Sequence, residues 1–411
     1  MKNLKIALLH YSSAPVIGGV EKILQQQCLL CRQHFHSVKI FSGNGGRGTD
    51  ECEVEFNPLL SSSNKRILKL HKDPLGKMED LHFVIDEIYK YLSNALHHYD
   101  ILIAHNVLTM PYNLPLTHAL HRMADLGCLE IVSWNHDSPY FYEDFPEKLQ
   151  KQPWDILKKY NPNIHYITIS ESRKRQFSIL YGSNIKIKVI PNGIDPTQFF
   201  RLDPTTEKLI QDTNLMEADL LMAQPCRLHP RKNIELTIRV VKALQEKGIH
   251  ARLLCTGAFD PHEGDSLSYL FRLKRLTQQL RVEKDVFIIA DFFLKNGMKR
   301  EMSNINIRDL YLISDLVFMP SISEGFGVPL LEAGITKLPI FCSDIPPFHE
   351  IGNEYAVYFS LSESPAKIAA KILDYISSYQ PYRMFRHIKR QYRWDIIYDQ
   401  KISPFLQEMT A

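Results

Sequence analysis

The chain has 411 residues, 45% apolar and 23% charged, with 49 Lys and Arg against 46 Asp and Glu for a formal charge of +3. That length suggests about two or three domains, with cores large enough to need no disulfide or metal staple. The near-balance of charge excludes both the basic footprint of a dedicated nucleic-acid binder and an acidic disordered chain.

In chain order, the opening Met1-Lys2-Asn3-Leu4-Lys5 resembles a leader until His10 interrupts the apolar Ile6–Leu9, so Lys5–Leu9 reads as a buried strand. Gly19–Arg32 has helical spacing, Ser37–Phe41 is a strand, Asp80–His98 a helix, and Ile101–Ala104, Ile131–Trp134, Ile164–Ile169 and Lys186–Ile190 are strands. The second half repeats the rhythm. Strand Leu220–Gln224, helix Ile234–Lys247, strand Ala251–Cys255, helix Leu267–Leu280 and strand Val286–Ile289 are followed by helix Ile307–Ile313, strand Leu316–Pro320, helix Leu330–Thr336 and strand Pro339–Cys342. Alternation of this kind predicts two doubly wound α/β domains with a cleft between them. The punctuation Pro191-Asn192-Gly193-Ile194-Asp195-Pro196 marks the seam, giving domains at 1–195 and 196–393. Ser61–Lys77 carries Lys65, Arg66, Lys69, Lys72 and Lys77 against Asp73. Its plain reading is a solvated loop or helix face, and its sharper one a weak contact with an anionic membrane or acceptor surface.

No apolar run approaches the ~18 residues of a membrane span. Seven scattered cysteines predict free, mostly buried thiols in a reducing, cytoplasmic setting. Cys28-Leu29-Leu30-Cys31 lies inside a helical apolar pattern without a second pair, so it reads as core rather than a zinc site. No Asp-x-Asp and no H-E-x-x-H occurs, and no metal site is expected.

The most informative segment is Ser323-Glu324-Gly325-Phe326-Gly327-Val328-Pro329-Leu330-Leu331-Glu332, which reads strand end, glycine-bearing loop, helix. Pro329 suits a first helical turn, so the amides of Gly325, Phe326, Gly327 and Val328 precede or open the helix without intrahelical acceptors. Free amides at a positive helix end suit phosphate, and glycines permit close approach. Two ionised carboxylates flanking that nest suit sugar hydroxyls at both ends of a diphosphate, the shape of a nucleotide-sugar. The plainer alternative is acidic residues matched to a helix dipole, which does not account for Gly-Phe-Gly. Gln224–Asn233 follows the first strand of the second half, and its Arg227 and Lys232 suit a departing pyrophosphate. Gly18-Gly19 lies between the first strand and first helix, a weaker phosphate or sugar loop that lacks the full G-x-G-x-x-G of redox dinucleotide binding. His136 and Asp137 end a buried strand, and His105-Asn106, after the preceding strand, raises the same question with less weight.

Glu324-x7-Glu332 with Gly325-Phe326-Gly327 between resembles the E-x7-E signature of retaining GT-B glycosyltransferases, and most closely glycosyltransferase family 4, the group 1 transferases. Gly18-Gly19-Val20-Glu21, Val189–Asp195, Arg227 with Lys232-Asn233, and Ser343-Asp344-Ile345-Pro346 resemble the family in the expected order. Thr256-Gly257-Ala258-Phe259 departs from the family's Gly-x-Gly turn, and Asn44–Tyr99, where acceptor specificity usually resides, matches no pattern. The resemblance implies a hexosyltransferase using a UDP- or GDP-sugar without a metal or other cofactor. It implies that Glu332 binds ribose, that Glu324 and the amides of Gly325, Phe326 and Gly327 hold the hexose with Val328 also at the donor, and that Arg227 and Lys232 bind the diphosphate. Gly18, Gly19, Thr256 and Gly257 would lie near the donor, His136 would hydrogen-bond the donor sugar, and about 394–411 would form a helix crossing back to the first domain. The acceptor, whether a sugar, a lipid-linked group or a small molecule, stays open. Alternatives on the same scaffold are a sugar-nucleotide epimerase, a disaccharide phosphorylase or a non-catalytic binding protein.

Overall fold

The computed structural model describes residues 3–46, 48–49, 52–182, 185–256, 266–289, 291–292 and 303–410. The chain folds as two compact units, Met1–Ile194 with Tyr392–Ala411, and Asp195–Gln391.

The first unit is built on one sheet of β1 (Lys5–His10), β2 (Ser37–Ser42), β3 (Gly48–Thr49), β4 (Cys52–Phe56), β5 (Ile101–His105), β6 (Glu130–Asn135), β7 (Ile164–Thr168) and β8 (Ile187–Val189). The order is β3-β4-β2-β1-β5-β6-β7-β8, with only the short β3 antiparallel to its neighbour. β1 is buried from Ile6 to His10 and β5 along its whole length. Near-continuous apolar runs of this kind are what a parallel strand covered on both faces requires. The helix Gly19–Gln33 turns Ile23, Leu24, Cys28 and Cys31 to the sheet. The same face receives the C-terminal stretch, whose Trp394, Ile397, Tyr398, Ile402, Phe405 and Leu406 pack with Leu4, Ile6 and Leu8. Tyr398 O–H lies 2.7 Å from His36 Nε2, and Trp394 Nε1 donates to Gln26 Oε1 at 2.9 Å.

The second unit carries β9 (Leu220–Gln224), β10 (Ala251–Cys255), β11 (Val286–Ile288), β12 (Leu316–Met319), β13 (Ile340–Ser343) and β14 (Val357–Phe359). Their order is β11-β10-β9-β12-β13-β14 and every pair is parallel. Both units are therefore Rossmann-like α/β folds. Winding reverses between β1 and β5 in the first and between β9 and β12 in the second, and crevices at the carboxyl ends of such strand pairs are where this topology binds ligands.

Among the elements not foreseen are three helices and two strands. Leu114–Asp125 buries nine of its residues, so it lacks the one-sided apolar stripe that marks a surface helix. Glu171–Tyr181 buries only Phe177 and is polar over its first six residues, and Pro365–Ser378 lies beyond the last strand that patterning assigned. Cys52–Phe56, second from the edge of its sheet, carries Glu53 and Glu55, and Val357–Phe359 is three residues long. The basic stretch after Ser61 forms the helix Lys65–Lys72, capped by the Asn64 side chain, with Ile67 and Leu70 buried and the cations outside. None of the seven cysteines forms a disulfide, and Cys128 alone is exposed. Among the described residues no helix is long and apolar enough to cross a membrane.

Candidate active site

In the second unit two loops leave adjacent strands at the winding reversal. The loop after β9 makes a short 3-10 turn at Pro230–Lys232, and Asn233 in the left-handed region, φ +52, starts the helix Ile234–Glu246. The loop after β12 runs to the helix Val328–Ile335, with Pro329 in its first turn. Gly327 is the cap, at φ +124, a conformation that side chains rarely adopt. A Cβ there would also stand 3.1 Å from the Phe348 ring.

The loops are laced together through Glu324. Lys232 Nζ contacts Glu324 Oε1, Ser321 Oγ donates to the same oxygen at 2.7 Å, and Arg231 Nη1 donates to Oε2 at 2.9 Å. Arg231 Nη1 also reaches the Ser323 carbonyl at 3.2 Å, and the Ile322 amide donates to the Arg231 carbonyl at 2.8 Å. The Glu324 and Lys232 side chains keep only 9% and 12% of their surface, whereas Arg231 keeps 43%. Burial pushes the Glu324 carboxyl up, but the hydrogen bonds from Lys232, Ser321 and Arg231 outweigh it and hold the group below the usual carboxylate range. The result is an acceptor ionised at neutral pH beside the amides that open a helix. Further along that helix Glu332 Oε2 accepts from Tyr311 O–H at 2.5 Å. Burial and this partner push the tyrosine's pKa up.

Arg227 is exposed in the same loop. Beneath it Gln224 braces the turn, donating from Nε2 to the Lys232 carbonyl at 2.9 Å while Oε1 accepts from Thr237 Oγ1 at 2.6 Å. Thr256 is buried, and its hydroxyl donates to the Cys226 carbonyl at 2.7 Å and accepts from the Cys226 amide at 2.8 Å. That ties the β9 loop to β10. Gly257, also singled out from the sequence, lies outside the described residues.

In the first unit the equivalent reversal collects three histidines. His10 ends β1, His105 ends β5 and His136 follows β6. His10 Nδ1 lies 2.7 Å from the His105 carbonyl, which only accepts, so that nitrogen carries the proton. His105 Nδ1 is 3.3 Å from His136 Nε2, and Asn192 Nδ2 is 3.5 Å from His136 Nδ1. Burial pushes all three imidazoles down, His136 to about 4, so they are neutral at pH 7. Gly18 is extended and caps the helix that Gly19 opens, and the Glu21 carboxylate lies over it, taking the Ser12 hydroxyl at 2.5 Å. Glu21 therefore occupies the space that any side chain at position 18 would need.

Two family models match the chain in succession. One described as Glycosyltransferase Family 4 covers residues 17–198, and one described as Glycosyl transferases group 1 covers residues 205–392. The chain belongs to the family 4, group 1 glycosyltransferases. It is an enzyme, a hexosyltransferase, and its two Rossmann-like units are the GT-B architecture. Over 84% of its length it is 26% identical to the mannosylglucosylglycerate synthase of Thermotoga maritima, covering 83% of that protein. It is 24% identical over 69% of its length to the O-antigen chain mannosyltransferase RfbU of Salmonella typhimurium, covering 73% of it. A 37% stretch is 33% identical to the serotype-specific mannosyltransferase WbdA of Escherichia coli, spanning 17% of that longer protein.

The family 4 enzyme thus brings Lys232 and Glu324 into contact, and Arg231 joins them, a residue to which sequence reasoning gave no part. Its partner is 93 positions away, and a basic residue beside Lys232 carries no spacing signal of its own. Tyr311 was likewise not singled out, and Asn106 and Asn192 entered only as members of the segments His105-Asn106 and Val189–Asp195, with no role of their own.

Proposed function

We propose that the enzyme transfers a hexosyl group, with retention of anomeric configuration and without a metal, from a nucleotide diphosphate sugar to a hydroxyl acceptor. The observation that carries this reading is the Lys232–Glu324–Arg231 cluster at the β9/β12 reversal, next to helix-opening amides and within one helix of Glu332. Glu332 is assigned to the ribose hydroxyls. Glu324 and the amides of Gly325, Phe326, Gly327 and Val328 are assigned to the hexose, and Arg227 and Lys232 to the diphosphate. Gly18 and Gly19 are assigned to backbone approach by the donor, and His136 to a contact with the donor sugar. Thr256 supports the nucleotide loop, its hydroxyl being committed to Cys226.

In the proposed step the acceptor oxygen bonds to the anomeric carbon on the face from which the phosphate oxygen departs. The carbon–oxygen bond to the diphosphate breaks, and the acceptor's proton passes to the leaving phosphate. Arg227 and Lys232 meet the charge that develops there, a preorganised electrostatic contribution. The relatives named mannosyltransferases make GDP-mannose the first donor to try, with UDP-glucose beside it.

The two glutamates test the reading, because they should fail differently. Glu332→Gln, remote from the reacting bond, should weaken binding of the free nucleoside diphosphate and of the donor alike. Glu324→Gln should leave nucleoside diphosphate binding nearly intact and lower kcat, since contacts to the reacting sugar are expressed in the transition state. Calorimetry and turnover, measured separately, read the two effects. The reverse pattern would place the carboxylates on the wrong ends of the donor. Activity should survive EDTA, and a loss restored by Mg²⁺ or Mn²⁺ would end the metal-free proposal. Donor supplied alone separates an epimerase, which needs no acceptor.

A further inference from the structure

β5 ends at His105, and Asn106 follows in the left-handed region at φ +58, which short polar side chains tolerate best after glycine. Its backbone N–H donates to the Trp134 carbonyl at 2.9 Å, carrying the β5–β6 ladder one residue further. Its side-chain Oδ1 then accepts two successive backbone amides, those of His136 and Asp137, each at 3.0 Å. Consecutive amides aimed at one point form a concavity of the kind that takes anions. Here a carboxamide oxygen from the neighbouring strand fills it. Thr109 closes the arrangement, donating from Oγ1 to the Asp137 carbonyl at 2.8 Å. By comparison, the contacts of the His136 ring itself are long, 3.3 Å to His105 and 3.5 Å to Asn192, and the Asn192 Oδ1 is buried without a partner. The firmest hydrogen bond on His136 is therefore the one its backbone amide makes to Asn106.

We propose that Asn106 is the positioning residue for His136. It fixes the turn at the end of β6 and with it the place of both the imidazole and the carbonyl of residue 136. The inference rests on the reading of His136 as a contact to the donor sugar. Asparagine meets two demands here, a left-handed backbone and an acceptor oxygen that reaches across to β6. Aspartate meets both as well, and glycine only the first. The variants Asn106→Asp and Asn106→Gly thus separate the oxygen from the backbone conformation.

The experiment uses the full chain and follows release of nucleoside diphosphate from GDP-mannose, with UDP-glucose as the second donor and water as the acceptor. Hydrogen-exchange protection of residues 1–194 checks that the first unit of each variant is folded, and calorimetric binding of GDP or UDP does the same for the second. Asn106→Gly should lower kcat by about tenfold or more, the scale expected of a reacting group displaced by a fraction of an ångström, while the donor KM moves by less than about twofold. Asn106→Asp should recover most of the loss. The double variant Asn106→Gly with His136→Ala should be no slower than His136→Ala alone, because residues that act through one another are not additive. A wild-type kcat in Asn106→Gly beside a slow His136→Ala overturns the proposal, as does failure of Asn106→Asp to recover activity or multiplication of the two losses. If His136→Ala is as fast as the wild type, the assignment of His136 itself fails and takes the inference with it.

Discussion

Glu324 shows how much one carboxylate is asked to do. An ionised carboxylate has about four acceptor positions. Lys232 and Ser321 share Oε1 and Arg231 meets Oε2, so about one position remains for a ligand hydroxyl. The cations are therefore placed by the acid before any substrate arrives, and replacing one disturbs the other groups. Lys232→Ala is expected to slow turnover by roughly 10²–10³ through the lost electrostatic contact, and Arg227→Ala by a similar factor. Arg231→Gln, which removes a more exposed contact, should be milder. Steady-state rates with a donor that the wild type uses, together with melting curves, check this. Near-normal turnover in either of the first two variants would remove the cations from the chemistry. The E-x7-E spacing made Glu324 and Glu332 legible from sequence alone. Arg231 was not legible, because its importance comes from a partner on another strand's loop.

At the scale of elements, legibility followed apolar patterning. β9 and β10 were read to the residue, as Leu220–Gln224 and Ala251–Cys255, because each is a short buried run between turns. Leu114–Asp125, buried on nearly every side, carried no such contrast. The helix Lys65–Lys72 was legible only as a charge run, and its folded form sharpens that reading. Lys65, Arg66, Lys69 and Lys72 are exposed, along with Leu68 and Leu75. A basic face with apolar side chains suits an anionic surface, at about 1 kcal/mol per cation close to it. The enzyme should co-sediment with vesicles containing anionic lipid at low salt, release at high salt and ignore neutral vesicles. Binding that persists in high salt would contradict an electrostatic contact. Lys69→Glu with Lys72→Glu should weaken it without changing donor hydrolysis.

For the molecule as a whole, titration is unevenly distributed. His10, His36, His71, His105, His118, His121 and His136 are all pushed down by burial, and all lie in the first unit. For His71, His121 and His136 the folded value is about 4, against the ordinary 6.5. Between those limits the unfolded chain binds protons that the folded unit does not, so stability present at pH 7 is lost as pH falls from 6.5 towards 4. Hydrogen exchange at pH 7 and pH 5 should show protection lost first in the first unit. His121→Gln should flatten the dependence of the melting temperature on pH. An equal loss of protection in both units would refute the argument.

The first unit is also discontinuous in sequence, and that orders its manufacture. Residues 1–194 leave the ribosome long before 392–411, and the whole second unit is made in between. Until the last residues emerge, the face formed by Leu4, Ile6, Leu8, Ile23 and Leu24 has no Trp394, Tyr398 or Phe405 to cover it. The unit that starts first should therefore finish last, and the second, continuous in sequence, should be able to reach its final form without residues 392–411. Its nascent partner would wait with an uncovered apolar face, the kind of surface that draws chaperones and aggregates. A truncation experiment checks this. A released chain ending at residue 391 should yield a protease-resistant second unit and a protease-sensitive first. Adding a peptide of residues 392–410 should make the first resistant.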